Sequence, residues 1–385
     1  MQYLLDVIDS SFALWTACAV MGLGLFASRA LRARCLAVGR AVRIPGAGER
    51  VLILGSGVLA RELIQEMKAR GSRWSIVGVI PEERSVGPAP PYPVMGSLED
   101  LDDIVGKVRP HRIVVALDER RGRLPVGPLL QSRVRGVAVE EGVEFYERLT
   151  RRLAIDALTP SALIFSGGFE RRWVAAFVGR GMSVLLSAVG IAVTVPLWPL
   201  IALVIRLDSR GPAVFMQERV GRGGRKFGLL KFRTMLATGA NGSSWARDNT
   251  ARITRVGHFL RWSHLDELPQ LINVLRGDMN LVGPRPHPVS NFELFSARIP
   301  YYALRAAIRP GVTGWAQVRY RYANTLQEES EKMRYDLYYI KHRSLWLDLR
   351  ILARTARIIL LGLRPERQAA ESGAEAPRTS RVRAA

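Results

Sequence analysis

Unbroken apolar runs, short apolar segments and helical stripes divide the chain into unlike parts. The first run, FALWTACAVMGLGLFA (residues 12–27), is followed by Arg29, Arg32, Arg34, Arg40 and Arg43. A cleaved signal would carry its basic residues ahead of the run and a small-residue cleavage site behind it. The pattern therefore predicts a membrane anchor over 1–45, with its basic C-terminal end in the cytoplasm. Because the run is shorter than the roughly 20 residues of a typical span, a buried soluble helix is the alternative.

Short apolar segments follow: RVLILG, WSIVGVIP and HRIVVAL, with the helical pattern VLARELIQEMKARG between the first two. This alternation predicts βαβ units and a small parallel sheet, a Rossmann-like, CoA-binding-like domain over 46–150. Gly55-x-Gly57-x-x-Ala60 follows the first strand and could seat a pyrophosphate on a helix N-terminus. Glu82 and Glu83, however, come after Pro81 instead of standing at the strand end, where a ribose-binding acid is expected. A structural or regulatory role is favoured over a dinucleotide site.

The second long run, GMSVLLSAVGIAVTVPLWPLIALVI (181–205), has no charged residue and would measure roughly 37 Å as a helix. Pro196 and Pro199 interrupt its second half. Arginines flank both ends, among them Arg171, Arg172 and Arg180 before it and Arg206, Arg210, Arg219 and Arg222 after. Positive flanks belong to the cytoplasmic side, so the run predicts a re-entrant helix over about 181–206, broken at Val195-Pro196, with an ordinary span as the alternative. Near the C-terminus, SLWLDLRILARTARIILLGL (344–363) predicts an amphipathic helix, suited equally to a membrane surface or to a core. The fold class expected is thus α/β and membrane-associated: an N-terminal membrane helix, a Rossmann-like parallel sheet, and a mainly α-helical catalytic domain over 170–363. A low-complexity tail, 364–385, is expected to be disordered.

Charge narrows the partners. Among 385 residues, 56 Lys+Arg against 34 Asp+Glu leave a net charge of +22, which favours anionic partners. The arginines flank apolar runs and no nucleic-acid motif occurs, so an anionic phospholipid membrane is expected and nucleic acid is not. Cys18 and Cys35 have no metal-ligand or redox spacing.

The chemistry concentrates in HLDELPQLINVLRGDMNLVGPRP (264–286). Pro269 suits the first turn of a helix, and Leu268, Leu271, Ile272 and Leu275 follow helical spacing, so Asp266 and Glu267 are expected at or next to its N-terminus. There the helix dipole would keep carboxylates ionised and attract phosphate. Taken alone, Asp266 is an ordinary N-cap candidate. Its neighbours change the picture: Arg261 precedes it, Gly283-Pro284-Arg285-Pro286 is a stiff turn that aims Arg285, and QERVGRGGRKFGLLKFRTM (217–235) supplies Arg219, Lys231 and Arg233. Adjacent carboxylates among cations that fork onto phosphate suit Mg²⁺-assisted nucleotide-phosphate chemistry.

The motifs KFRTM, LDELPQLINVLRGDMNLVGPRP, RPGVTGWAQV and YDLYYIKHRSLWLDL together resemble the bacterial sugar transferases, monotopic polyprenyl-phosphate phosphoglycosyl transferases. IPYY, GWAQVRY and the Rossmann-like domain look most like the exopolysaccharide, exosortase-associated subgroup. The resemblance covers about 170–363 and, less closely, 49–147. It implies that Asp266 attacks the sugar-bearing phosphate of a UDP-sugar, releasing UMP, and that polyprenyl (undecaprenyl) phosphate then takes the phosphosugar from the enzyme. Glu267 would bind Mg²⁺, and Arg261 and Arg285 would hold phosphate. The implied place is the cytoplasmic face of a bacterial inner membrane, with homo-oligomers left open. Three departures stand out: Val195-Pro196 replaces the usual Ser-Pro break, no acid precedes Asp248 after KFRTM, and His287 replaces the usual acid after Gly-Pro-Arg-Pro. His287 is expected either as a solvated turn residue or as a ligand. The lost acids keep a second reading open, a catalytically decayed scaffold or nucleotide-sensing regulator of polysaccharide assembly.

Overall fold

The structure, a computed structural model, describes residues 48–71, 73–82, 92–119, 122–155, 173–236, 252–320 and 323–361. The expected anchor over 1–45 and the tail over 364–385 lie outside the described residues. The three apolar segments form β1 (Glu49–Leu54), β2 (Trp74–Ile80) and β3 (Arg112–Val115), joined by β4 (Ala138–Glu141) in a parallel sheet ordered β2-β1-β3-β4. Helices α1 (Val58–Ala69), α2 (Leu101–Val108), α3 (Val126–Val134) and α4 (Gly142–Thr150) cover both faces. Alternation along β1 explains its unbroken apolar sequence. Val51 and Ile53 pack with Leu63 and Phe145 on one side, while Leu52 and Leu54 meet Ile104 and Leu129 on the other.

The first of those faces does not end with the sheet. Its core continues into Phe295, Tyr302, Met333, Leu337 and Ile340 of the C-terminal half. Charged pairs reinforce the junction: Glu62 with Arg334 at 3.3 Å, Arg152 with Glu331 at 3.0 Å and also with Glu66, and Glu147 with Lys341 at 2.9 Å. Glu147 and Lys341 are both buried, so each depends on the other for its charge to be tolerated. The parallel-sheet unit is therefore docked on the C-terminal half through one continuous core.

The second apolar run forms α5 (Trp173–Thr194), a 3₁₀ turn at Val195–Leu197, and α6 (Trp198–Asp208). Pro196 lies in the turn and Pro199 in the first turn of α6, the places where a missing N–H costs least. The stretch Ala176–Asp208 is long and apolar enough to cross a membrane, and most of its large apolar side chains are exposed. A stripe of small or polar residues on α5 is the exception. Ser183 and Ser187 are buried, Arg180 donates to the carbonyls of Val274 and Met279, and Gly190 lies against Leu271. On α6, Trp198 meets Phe232 edge-on and Ile205 packs with Phe232 and Leu260.

The remainder holds the adjacent Asp266 and Glu267. Strands β5 (Val214–Val220) and β6 (Lys226–Phe232) form an antiparallel ribbon, followed by α7 (Arg255–Trp262), a 3₁₀ turn at Leu265–Glu267 and α8 (Gln270–Arg276). Strands β7 (Asn280–Val282) and β8 (Gly311–Thr313) pair in parallel, with α9 (Val289–Arg298) and a 3₁₀ helix at Tyr302–Ala307 between them. Then come α10 (Trp315–Arg319), α11 (Leu326–Lys341) and α12 (Leu345–Leu361). The terminal amphipathic helix is packed at its start and open at its end. Leu347, Asp348 and Ile351 are buried in the core, whereas Ile359, Leu360 and Leu361 at the far end are exposed.

Candidate active site

His264, in a left-handed conformation at φ 57°, turns the chain out of α7 into the Leu265–Glu267 turn. Glu267 N–H donates to His264 O and Leu268 N–H to Leu265 O, closing the turn before Pro269. Pro269 is the N-cap of α8, so Asp266 and Glu267 belong to their own turn and neither caps the helix. They stand next to the helix N-terminus, as the sequence predicts, yet among the described residues no backbone N–H of the helix holds either carboxylate. Side chains do so instead: Lys231 Nζ donates to Glu267 Oε1 at 2.8 Å and Arg285 Nη2 to the same oxygen at 2.7 Å. Lys231 stands 3.9 Å from Asp266 Oδ2.

The two acids are set apart electrostatically. Burial alone would raise Glu267, but Arg285 and Lys231 overcome it and hold its carboxyl well below the usual carboxylate range. Burial raises the Asp266 carboxyl; the Glu267 charge adds to this, while Lys231, Arg285 and Arg261 oppose it. One acid is thus a fixed anion locked between cations. The other is buried, at 7% exposure, and harder to ionise.

The Gly-Pro-Arg-Pro turn that aims Arg285 is held by a series of acceptor bonds along its backbone. Pro284 O accepts from Gly311 N–H at 2.9 Å and Arg285 O from Arg305 Nη2 at 3.3 Å. Pro286 O accepts from Arg219 Nη1 at 2.9 Å and His287 O from Val220 N–H at 3.1 Å. Gly283 and Gly311 approach so closely that a Cβ on either would collide with the other strand's backbone, which explains glycine at both.

The expected phosphate-binding residues therefore separate. Lys231 and Arg285 meet the carboxylates directly. Arg219 lies behind the turn, its guanidinium committed to Pro286 O and to Gln217 Oε1 at 2.6 Å, and burial lowers its pKa, with the charge of Arg285 adding to the effect. Arg261 is exposed and donates to Thr234 Oγ1 at 3.0 Å. Arg233 is a correction: it is buried and donates to the carbonyls of Ser209 and Arg210, pinning β6 to the end of α6. Adjacent strand residues face opposite ways, so Lys231 and Arg233 share a face only while the strand continues, and β6 ends at Phe232.

His287 is not a solvated turn residue, since its side chain is largely buried, and among the described residues it joins no group of three His, Cys, Asp or Glu placed to hold a metal ion. Burial, reinforced by Arg305, Lys332, Arg219 and Arg285, holds its pKa well below the ordinary value. Its Nδ1 lies 2.9 Å from Tyr302 Oη, which in turn donates to Glu329 Oε1 at 2.9 Å. The network assigns the proton to Nδ1, leaving Nε2 to accept from Lys332 at 3.5 Å. Arg305 completes this buried group, donating to Asp336 Oδ2 from Nε at 2.9 Å and to Tyr302 Oη. Sequence reasoning gave Tyr302, Arg305, Glu329 and Asp336 no role. IPYY and YDLYYI were visible as motifs, but nothing local marks Arg305 as their common partner.

Among the described residues no group of three His, Cys, Asp or Glu is placed to hold a metal ion. The adjacent carboxylates still fit a hard cation of the Mg²⁺ type, which takes one or two carboxylates and completes its shell with substrate phosphates and water.

At the other candidate site, the glycine turn after β1, a Cβ on Gly57 would collide with the Asp118 carboxylate. Glu82 accepts a bond from Asp118 N–H, so the two acids stand together at the N-terminus of α1, where a pyrophosphate would have to sit.

The family model for bacterial sugar transferases matches residues 174–362, which contain the whole carboxylate site. An Escherichia coli (strain K12) protein, UDP-glucose:undecaprenyl-phosphate glucose-1-phosphate transferase, is 30% identical over 360 residues, covering 89% of this chain and 74% of its own length. The chain belongs to the bacterial sugar transferase family. A second sugar transferase of the same name, from Caulobacter vibrioides, is 47% identical over 184 residues, covering 47% of this chain and 69% of its own. The Aeromonas hydrophila UDP-N-acetylgalactosamine-undecaprenyl-phosphate N-acetylgalactosaminephosphotransferase is 43% identical over 217 residues, covering 56% of this chain. That match spans 51% of the Aeromonas protein, about half its length.

Proposed function

We propose that this sugar transferase moves a sugar-1-phosphate from a UDP-sugar to polyprenyl phosphate, as the initiating step of exopolysaccharide assembly. The observation that carries the reading is the division of labour at Leu265–Glu267: a carboxylate locked between Lys231 and Arg285 beside a buried carboxylate of raised pKa. Raised basicity suits a nucleophile, and fixed cations suit the phosphates it attacks. An Asp266 carboxylate oxygen bonds to the sugar-bearing phosphorus; the bond to the bridging oxygen breaks and UMP leaves with that electron pair. A phosphate oxygen of the polyprenyl acceptor then attacks the same phosphorus and returns Asp266 as the free carboxylate. Arg285 and Lys231 hold phosphate oxygens, and Arg261 stands nearby. Glu267, with Asp266 beside it, would hold Mg²⁺, which would offset charge on the diphosphate.

A re-entrant seat in the cytoplasmic face of a bacterial inner membrane fits this chemistry. It is supported by the break at Val195–Leu197 and by the anchoring of both arms on one catalytic half, α5 through Arg180 and α6 through Ile205 and Ser209. A helix crossing straight through would separate those anchors. The test is mass spectrometry of the protein in nanodiscs with Mg²⁺ and a panel of UDP-sugars. One sugar is expected to release UMP and add one phosphosugar to the protein, on Asp266. Intact protein that gains no such mass with any sugar, and releases no UMP, would favour a decayed scaffold.

A further inference from the structure

Behind Arg285 lies a buried charged group that the proposed reaction does not use. Arg305 is 5% exposed, Asp336 1% and Glu329 2%, and Arg305 joins all of its neighbours there. Its Nε and Nη2 both reach Asp336 Oδ2, at 2.9 and 2.7 Å, while Nη1 faces Tyr302 Oη and Glu329 Oε1. Nη2 also donates to Arg285 O. Burying three charges is costly unless they are matched, and burial for stability alone would be served as well by apolar side chains.

We infer that Arg305 is a positioning residue for Arg285, clamping the carbonyl of the residue whose side chain faces the carboxylates. Pro284 fixes its own φ and Pro286 narrows the backbone range open to Arg285, and within that range Arg305 adds the bond that holds the Arg285 carbonyl. The flanking carbonyls are tied to Gly311, Arg219 and Val220, and Arg305 supplies the bond at the remaining position. Asp336 and Glu329 on α11 fix the guanidinium in turn, so helix α11 sets where Arg285 points. Lysine at 305 keeps the charge but cannot fork to Asp336 and Arg285 O together.

The inference rests on Arg285 holding phosphate. Its test is a double-mutant cycle on the full chain in nanodiscs, with Arg305→Lys, Arg285→Ala and both, read by UMP release and by affinity for UDP with Mg²⁺. Arg305→Lys is expected to lower UMP release between about 10- and 100-fold in the native background. With Arg285 already replaced by Ala it should cost less than about twofold. Equal losses in the two backgrounds would overturn the inference. If Arg305→Lys shows no cooperative thermal transition, Asp336→Asn, which loosens Arg305 in place, takes its position in the same cycle. A wild type that releases no UMP from any UDP-sugar would overturn the functional reading instead, and the cycle in UDP affinity then decides the coupling alone.

Discussion

Two turns of this molecule carry the same promise in sequence and opposite electrostatics in space. The glycine turn after β1 and the turn at Leu265–Glu267 each precede a helix, and each was a candidate phosphate site. At the first, the chain's own acids stand on the helix N-terminus, with Asp118 against Gly57 and Glu82 against Asp118. At the second, the acids are faced by Lys231 and Arg285. A phosphate approaching the first meets like charge; at the second it meets cations. A glycine fingerprint thus makes an anion site only where the fold leaves the helix terminus open.

The largest effect expected is at Asp266. Asp266→Ala should lower UMP release from UDP-sugar by about 10³-fold or more, and undiminished release would remove the contrast at its centre. Next is Arg285→Ala, which leaves Glu267 with one fewer cation and takes away a phosphate ligand. A loss of about 10²-fold in steady-state UMP release is expected. A change under about twofold would place the phosphates elsewhere.

Protonation gives a smaller and more specific test. Because the Asp266 pKa is raised, UMP release should fall as pH drops through that value. Glu267→Gln removes the like charge and frees Lys231 and Arg285 to act on Asp266, so the acid limb of residual activity should move to lower pH. Stability runs the other way. The folded Asp266 carboxyl binds its proton more tightly than the unfolded one, so this group favours folding in acid and opposes it once pH rises through the folded value. Asp266→Asn is therefore expected to raise Tm at pH 7 by roughly 1–3 °C, measured by thermal unfolding; a lower Tm would contradict the raised pKa. The smallest effect is at the glycine turn. Asp118→Ala should admit inorganic pyrophosphate with a Kd near about 1 mM by calorimetry, where the wild type shows none, and leave UMP release within about twofold. Pyrophosphate binding by the wild type would erase the difference between the two turns.

Much of the fold was legible because its signals are local. The apolar segments at Val51–Leu54, Trp74–Ile80 and Ile113–Val115 became the parallel strands, and Pro196 with Pro199 marked the break between α5 and α6. The site was legible in part. Asp266 and Glu267 were singled out by adjacency, and Arg285 by its proline-flanked turn. The place of the two acids just ahead of the helix was legible, but what holds them was not: Lys231 and Arg285, distant in sequence, bond to Glu267, and the left-handed His264 turns the chain out of α7 to bring the acids there. Arg233 was expected beside Lys231 as a phosphate ligand, yet β6 ends at Phe232 and Arg233 turns to the carbonyls of Ser209 and Arg210.

By itself, the sequence determined the residue types and the local geometry: which segments are apolar enough for strands or a membrane, where proline stops a helix, and which acids stand side by side. Only the tertiary structure decided which charges meet. Lys231 lies 36 residues from Glu267, and Arg305 lies 31 from Asp336, yet each pair is in direct contact. The physical reason is that backbone preference acts through neighbouring residues, whereas charge acts through space and strengthens as water is excluded. The same acidic side chain is therefore a nucleophile candidate at Asp266 and a plug at Asp118, according to what the fold brings opposite it.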